Sequence, residues 1–225
     1  MKLLHIVATP RTHQSNTMRI ATAYLENMRA NHVDLSVDTI NLFMQDLPAV
    51  VGDNIEAKYT LMAHRPVDKR HQESWRQIEC LIEQFLSADI YLISTPMWNL
   101  TVPYMLKYYI DAIVQPGYLF TYTKQGPVGL VQDKKMICIT THGGDYSAQS
   151  PFHAFNFLEP YLRAIFGFVG ITDIQFISAQ SMDSSTERRE AAIATAIAKA
   201  RQLAAGPDLH FPEAAMAVEN EAAFA

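Results

Sequence analysis

Residues 90–109, IYLISTPMWNLTVPYMLKYY, restrict the possible folds more than any other stretch of this chain. The apolar run Ile90-Tyr91-Leu92-Ile93 has no alternating polar face, so it reads as a strand buried on both sides, the pattern of a parallel sheet. It ends at Thr95, turns through Pro96-Met97-Trp98-Asn99-Leu100 and leads to a helix behind Pro103, which suits a first helical turn because no amide donor is needed there. A buried strand that hands a partly aromatic loop to the top of a sheet, just ahead of a helix, marks the place where open α/β sheets bind ligands.

The same grammar recurs along the chain. Leu3 to Ala8, Val33 to Ile40, Lys135 to Thr141 and Thr172 to Ala179 read as further strands. Helical spacing appears at Ile20, Tyr24, Leu25 and Met28, then at Trp75, Ile78, Ile82, Phe85 and Leu86, and again over Pro103 to Val114. Phe152 to Phe166 reads as one helix, and Ser184-Ser185-Thr186-Glu187 opens an Ala-rich final helix with capping-box spacing. The segment 41–66 reads as irregular with one short helix, and 115–133 as an excursion rich in Gly, Pro, Tyr and Phe. Strands alternating with helices imply parallel pairing and right-handed crossovers. The expected fold is therefore a flavodoxin-like, doubly wound α/β domain: a five-stranded parallel sheet of order 2-1-3-4-5, helices on both faces, and a switch point between strands one and three. Residues 1–205 form the expected domain, and 206–225 a tail that is either a short amphipathic helix or loosely attached.

Composition excludes several classes. A net charge of −5 without a Lys/Arg run argues against a nucleic-acid partner. No apolar stretch approaches the ~20 residues of a membrane span, and the N-terminus lacks the long apolar region of a signal peptide. Cys80 and Cys138 read as two buried free thiols of a reducing compartment, so the expected location is the cytoplasm. His64 and His71 lie on a charged segment without partners spaced for ligation, and no metal is expected.

Three loops converge at the switch point. The first, Thr9-Pro10-Arg11-Thr12-His13-Gln14-Ser15-Asn16-Thr17, is rich in hydroxyls and amides and runs into a helix N-terminus, so it can hold a phosphate without a lysine clamp, or be an ordinary capped helix start. The second, Pro96 to Leu100, offers a planar wall in Trp98 and an amide in Asn99, suited to a heteroaromatic ring; a mere rim aromatic is the alternative. In the third, Thr141-His142-Gly143-Gly144-Asp145-Tyr146, two glycines permit close backbone approach and His142 offers a hydrogen-bonding or proton-donating group, although a simple turn would look alike. The absence of Walker A and Gly-x-Gly-x-x-Gly patterns disfavours ATP and a Rossmann-bound dinucleotide.

Several motifs in unbroken order resemble the FMN-dependent NADH:quinone oxidoreductases, the azoreductase family. They are Pro96-Met97-Trp98-Asn99-Leu100 with Val102-Pro103, Leu106-Lys107-Tyr108 and Asp111; Phe120-Thr121-Tyr122 with Gly126 to Leu130; Thr141 to Gly144; and Pro160-Tyr161-Leu162 with Phe166 to Asp173. The resemblance spans about residues 1–200. It implies a homodimer with FMN at the subunit interface. Thr9, Gln14, Ser15 and Asn16 would bind the phosphate, Met97, Trp98, Asn99 and Leu100 the ribityl chain and ring edge, and Thr141, His142, Gly143 and Gly144 the pyrimidine edge, with Arg11, Thr17 and Pro96 as further cofactor-binding residues. Tyr122 and Phe168 would wall the substrate cleft, partly from the neighbouring subunit. It also implies a ping-pong exchange, with NADH or NADPH as reductant and a quinone or azo compound as acceptor.

The chain departs from the family pattern at Trp98, where tyrosine is common, at His142, often Arg or Asn, and in a first loop without its leading serine. These leave room for a specialised biosynthetic reductase or an FMN reductase supplying reduced flavin. A flavodoxin-type electron carrier and a flavin-free interaction protein are the readings from other classes. The modest charge and the glycine-free first loop disfavour the carrier.

Overall fold

The inner strands of the sheet have no polar face, which forces them between two layers of helices. In β1 (Lys2–Val7), β3 (Ile90–Pro96) and β6 (Lys135–Thr141), nearly every residue is buried whichever way it points. This computed structural model describes residues 1–11, 14–63 and 65–206. Thr12, His13, His64 and the expected tail beyond Gly206 lie outside the described residues.

The sheet order is β2-β1-β3-β6-β7, all parallel, with β2 (Ser36–Asn41) and β7 (Asp173–Ala179) at the edges. The expected numbering 2-1-3-4-5 counted no strands in residues 115–133. The structure has an antiparallel hairpin there, β4 (Phe120–Thr123) and β5 (Gly126–Gly129), outside the main sheet. Gly129 sits so close to the Val169–Gly170 backbone that a Cβ would overlap it, which ties the hairpin to the body of the protein. β2 begins at Ser36 rather than Val33, which is 97% exposed in the turn before it.

On one face, α1 (Asn16–Asn31) and α6 (Thr186–Ala204) pack Tyr24, Met28, Ile193 and Ala200 against Leu3, Leu92, Ile139 and Ile177. On the other, α3 (Lys69–Leu86), α4 (Tyr104–Ile113) and α5 (Leu158–Phe168) bring Phe85, Ile110 and Phe166 onto Ile6, Tyr91 and Cys138. The short α2 (Asp53–Met62) contributes Ala57 to this second layer. Burying an apolar side chain of this size contributes about 1.5–3 kcal/mol, so two such layers supply the main driving force for folding.

The helix expected over Phe152–Phe166 is divided. A 3-10 turn, His153–Phe155, ends at Asn156, whose side chain accepts from the Glu159 amide at 3.3 Å and starts α5 afresh, with Pro160 in its first turn. Cys138 is buried as expected, but Cys80 is exposed on α3, so the expectation of two buried thiols is corrected. No helix among the described residues is long and apolar enough to cross a membrane.

Candidate active site

The carboxyl ends of β1, β3 and β6 open into a cleft of about 670 Å³. Its first wall is the loop into α1. Ser15, almost wholly buried, caps the helix by accepting from the Met18 amide at 3.2 Å, and lies 3.3 Å from the Thr9 hydroxyl. The amides of Asn16 and Thr17 belong to the first turn and have no acceptor within the helix, so they face the cleft end as donors reinforced by the helix dipole. Thr17 Oγ1 meets Thr141 Oγ1 at 2.7 Å, which ties the first loop to the third.

The second loop is a tight turn. Trp98 and Thr101 exchange both backbone hydrogen bonds, at 2.9 and 3.0 Å, around Asn99 (φ 46°) and Leu100 (φ 72°). Positive φ at both central positions suits Asn but strains Leu, by roughly 1–2 kcal/mol. The strained turn is held by the Phe157 amide donating to the Leu100 carbonyl at 3.1 Å and by the Met97 amide donating to Thr141 at 2.8 Å. Among the described residues the amides of Asn99 and Leu100 have no acceptor. The Trp98 ring meets Phe43 edge-on at 5.9 Å and lies 6.3 Å from Tyr104. It also separates the cleft from a second, largely apolar cavity of about 430 Å³ bordered by Asn99, Tyr104 and Tyr161.

The third loop is zipped to the loop between β7 and α6. The amides of Ser181, Met182 and Asp183 donate to the carbonyls of Gly144, His142 and Gly143 at 2.8, 2.9 and 3.0 Å. A Cβ at Gly143 would overlap the Asp183 carboxylate, so glycine is required by space rather than by φ. The amides of Gly143 and Gly144 have no acceptor among the described residues.

Thr9, Arg11, Gln14, Ser15, Asn16 and Thr17 all line the cleft, as do Pro96, Met97 and Trp98, and Thr141 and Gly143. Asn99 borders the apolar cavity instead, while Leu100 and Gly144 line neither. His142 does not line the cleft. It shares the sheet face of Thr140, is fully buried, and sits 6.0 Å from the Tyr146 ring. Burial pushes its imidazole below the ordinary histidine range, with Glu159 and Asp145 opposing. Tyr122 and Phe168 stand apart from this cleft, in an aromatic cluster where Phe120 contacts both, at 5.5 and 4.8 Å.

Met182, Asp183 and Arg189 also line the cleft, and sequence reasoning missed them. Arg189 Nη1 donates to the carbonyls of Met182 and Ser184, both at 3.3 Å, while Nη2 donates to Thr186 Oγ1 at 3.0 Å, so a second guanidinium besides that of Arg11 lines the cleft. The capping signal at Ser184 to Glu187 marks the start of the last helix but not how the loop before it folds back onto the cleft.

A polar cleft lined by free amides, a helix N-terminus, two guanidinium groups and the Trp98 ring fits a phosphate joined to a flat heteroaromatic ring. Comparison with known proteins agrees. A family model described as flavodoxin-like fold matches residues 1–204. Relatives include an FMN-dependent NADH:quinone oxidoreductase of Nostoc punctiforme, 38% identical over 88% of this chain and 99% of its own. Another, from Pseudomonas fluorescens, is 33% identical over 91% of this chain and 98% of its own. This chain belongs to that flavodoxin-like family. A solved member, the FMN-dependent NADH-azoreductase of Bacillus anthracis in complex with FMN, superposes with a TM-score of 0.79 at 27% identity, covering 90% of this chain and 99% of that one.

Proposed function

We propose that this protein is an FMN-dependent oxidoreductase that passes reducing equivalents from NADH or NADPH to a quinone or azo compound by a ping-pong mechanism. The observation that carries the reading is the chemistry of the cleft lining. Hydroxyls, first-turn amides, Arg11 and Arg189 line it together with Trp98 and Gly143, and two of its loops carry unpaired amides. FMN, when bound, supplies the hydride chemistry, and the protein supplies position and hydrogen bonds.

The chain's own residues have distinct tasks in this reading. Thr9, Gln14, Ser15, Asn16 and Thr17 hold the phosphate while Arg11 and Arg189 neutralise it. The rigid turn at Asn99 and Leu100 presents fixed amides to one ring edge, and Gly143 and Gly144 present theirs to another. Trp98 covers part of the ring and keeps water from it. No nucleophile or general base is needed within the cleft.

A homodimer completes the site. Tyr122 and Phe168 lie away from their own cleft, yet both are exposed, and Phe152, Phe155 and Phe157 add exposed aromatic surface. Solvent is a poor environment for so many aromatics, and a second copy would bring Tyr122 and Phe168 to the neighbouring cleft as walls for the acceptor. Residues 1–205 act as one domain, and the thiol usage fits the cytoplasm.

The test is an absorption spectrum of the purified protein, incubated with FMN and desalted, before and after anaerobic NADH or NADPH. Retained flavin that bleaches with reductant and recovers with a quinone is the expected result. Flavin that no pyridine nucleotide reduces would favour an electron carrier, and loss of all flavin on desalting would refute tight FMN binding.

A further inference from the structure

Trp98 borders both the polar cleft and the apolar cavity of about 430 Å³, so the two chambers share that side chain as a wall. The volume lies within the range of small-molecule pockets, about 300–1,000 Å³. The wall is rigid. Trp98 and Thr101 are locked together through both backbone hydrogen bonds, and the Trp98 ring is set against Phe43 and Tyr104. Tyr104 in turn meets Phe43 edge-on at 5.7 Å.

The cavity has little with which to select a polar ligand. Carbon surface of Trp98, Val102, Tyr104 and Tyr161 dominates its lining. Lys107 borders it too, but its ammonium is held 2.6 Å from both carboxylate oxygens of Asp111, which leaves the aliphatic stem for the cavity. The other side-chain polar groups are the Trp98 indole, the Asn99 amide and the hydroxyls of Thr101, Tyr104 and Tyr161. Hydrocarbon is the ligand chemistry that such a lining rewards. None of the aromatics assigned above to the subunit contact borders this cavity, so that contact does not need to fill it.

An acceptor that enters the cleft brings its ring alongside Trp98, and an apolar substituent that rounds the indole passes into the second chamber. We propose that this cavity is an acceptor subsite that takes the alkyl or prenyl chain of a lipid-type quinone while the quinone head occupies the cleft. Tyr104 and Tyr161 are then specificity-determining residues, which favour tailed quinones over short, polar acceptors. The inference rests on the function proposed above.

The test is kcat/KM for a series of 2,3-dimethoxy-5-methyl-1,4-benzoquinones whose 6-substituent grows from methyl to octyl. Their fully substituted ring resists addition by the exposed Cys80 thiol. The value should climb about two- to fourfold for each methylene that the cavity takes up, then level off once it is full. Tyr104→Glu should flatten the climb, because it puts a charge on the cavity wall. Tyr104 opens α4, where an acidic residue suits the helix dipole, so the variant is expected to fold. Lys107→Leu should steepen the climb, and it removes only an exposed ion pair, which adds little to stability. The readout is the slope with chain length, so a general loss of activity leaves it intact. A flat series in the wild-type protein, or a slope that neither variant alters, would overturn the subsite alone. A slope that survives Tyr104→Glu while the subunits dissociate would assign the cavity to a second copy and overturn it as well. FMN-loaded wild-type protein that reduces no quinone in the series would overturn the proposed function and the subsite with it.

Discussion

His5 makes the stability of this fold depend on mild acid. It sits within β1, 2% exposed, with Nε2 2.8 Å from Ser94 Oγ. Burial, with a smaller contribution from Arg29 on α1, pushes its pKa down to about 4 from the ordinary 6.5. The unfolded chain therefore takes up this proton before the folded one does, so the contribution of a neutral His5 is complete above pH 6.5 and is lost as pH falls toward 4. The full shift corresponds to about 3.4 kcal/mol, of which about 2 kcal/mol is gone by pH 5. With a urea m-value of about 2–3 kcal/mol/M, the unfolding midpoint should drop by about 0.7–1 M between pH 7.5 and pH 5 from this group alone. His142, also shifted down, acts in the same direction, so the discriminating measurement is a comparison with His5→Gln, which retains a polar group for Ser94 but does not titrate. The difference in midpoint between the two proteins should shrink steadily through this window. Parallel pH profiles would refute the reasoning and mean that the His5 pocket admits water in the folded state.

Three further perturbations test the packing and the site. Gly143→Val should raise the dissociation constant for FMN tenfold or more, read by flavin fluorescence, because its side chain must displace the Asp183 carboxylate; unchanged affinity would remove Gly143 from the cleft wall. Gly129→Ala should destabilise the protein by about 1–3 kcal/mol in urea, since backbone atoms of Val169 and Gly170 occupy the space; a neutral result would mean that the hairpin lifts freely. Tyr122→Ala should lower kcat/KM for a quinone while leaving FMN affinity unchanged, and the opposite pattern would move Tyr122 to the cofactor.

The five sheet strands and their flanking helices were legible because the strands are apolar on both faces and the helices on one, a contrast that sequence periodicity records directly. The hairpin was not. Its four-residue strands are short, only half exposed, and mix Gly, Pro and Thr with Phe120, Tyr122 and Val128, so they carry neither a clear periodicity nor an apolar run. The break at Asn156 escaped notice because it depends on a distant carbonyl, that of Leu100, which captures the Phe157 amide. In the site, loops directly after strands one, three and six could be placed by the switch-point argument. Arg189 and Asp183 could not, because their arrival depends on how the last loop folds back through Ser181, at φ 63°. The orientation of His142 was equally hidden. Whether a side chain at a strand end faces the cleft or the sheet layer depends on a register that one residue of slip would invert.

The pairing of the third loop with the segment after β7 governs when the cleft can exist at all. Asn16 Nδ2 reaches Met182 Sδ at 3.5 Å across 166 residues of chain, and Gly143 and Gly144 are clamped by Ser181 and Asp183. Synthesis runs from the N-terminus, so a growing chain can assemble β1, α1 and β3 long before it possesses the residues that brace the far side. A nascent polypeptide thus has its first loop early but no finished receptacle. A finished receptacle requires the segment after β7 to be in place, and the last strand and helix act as the latch.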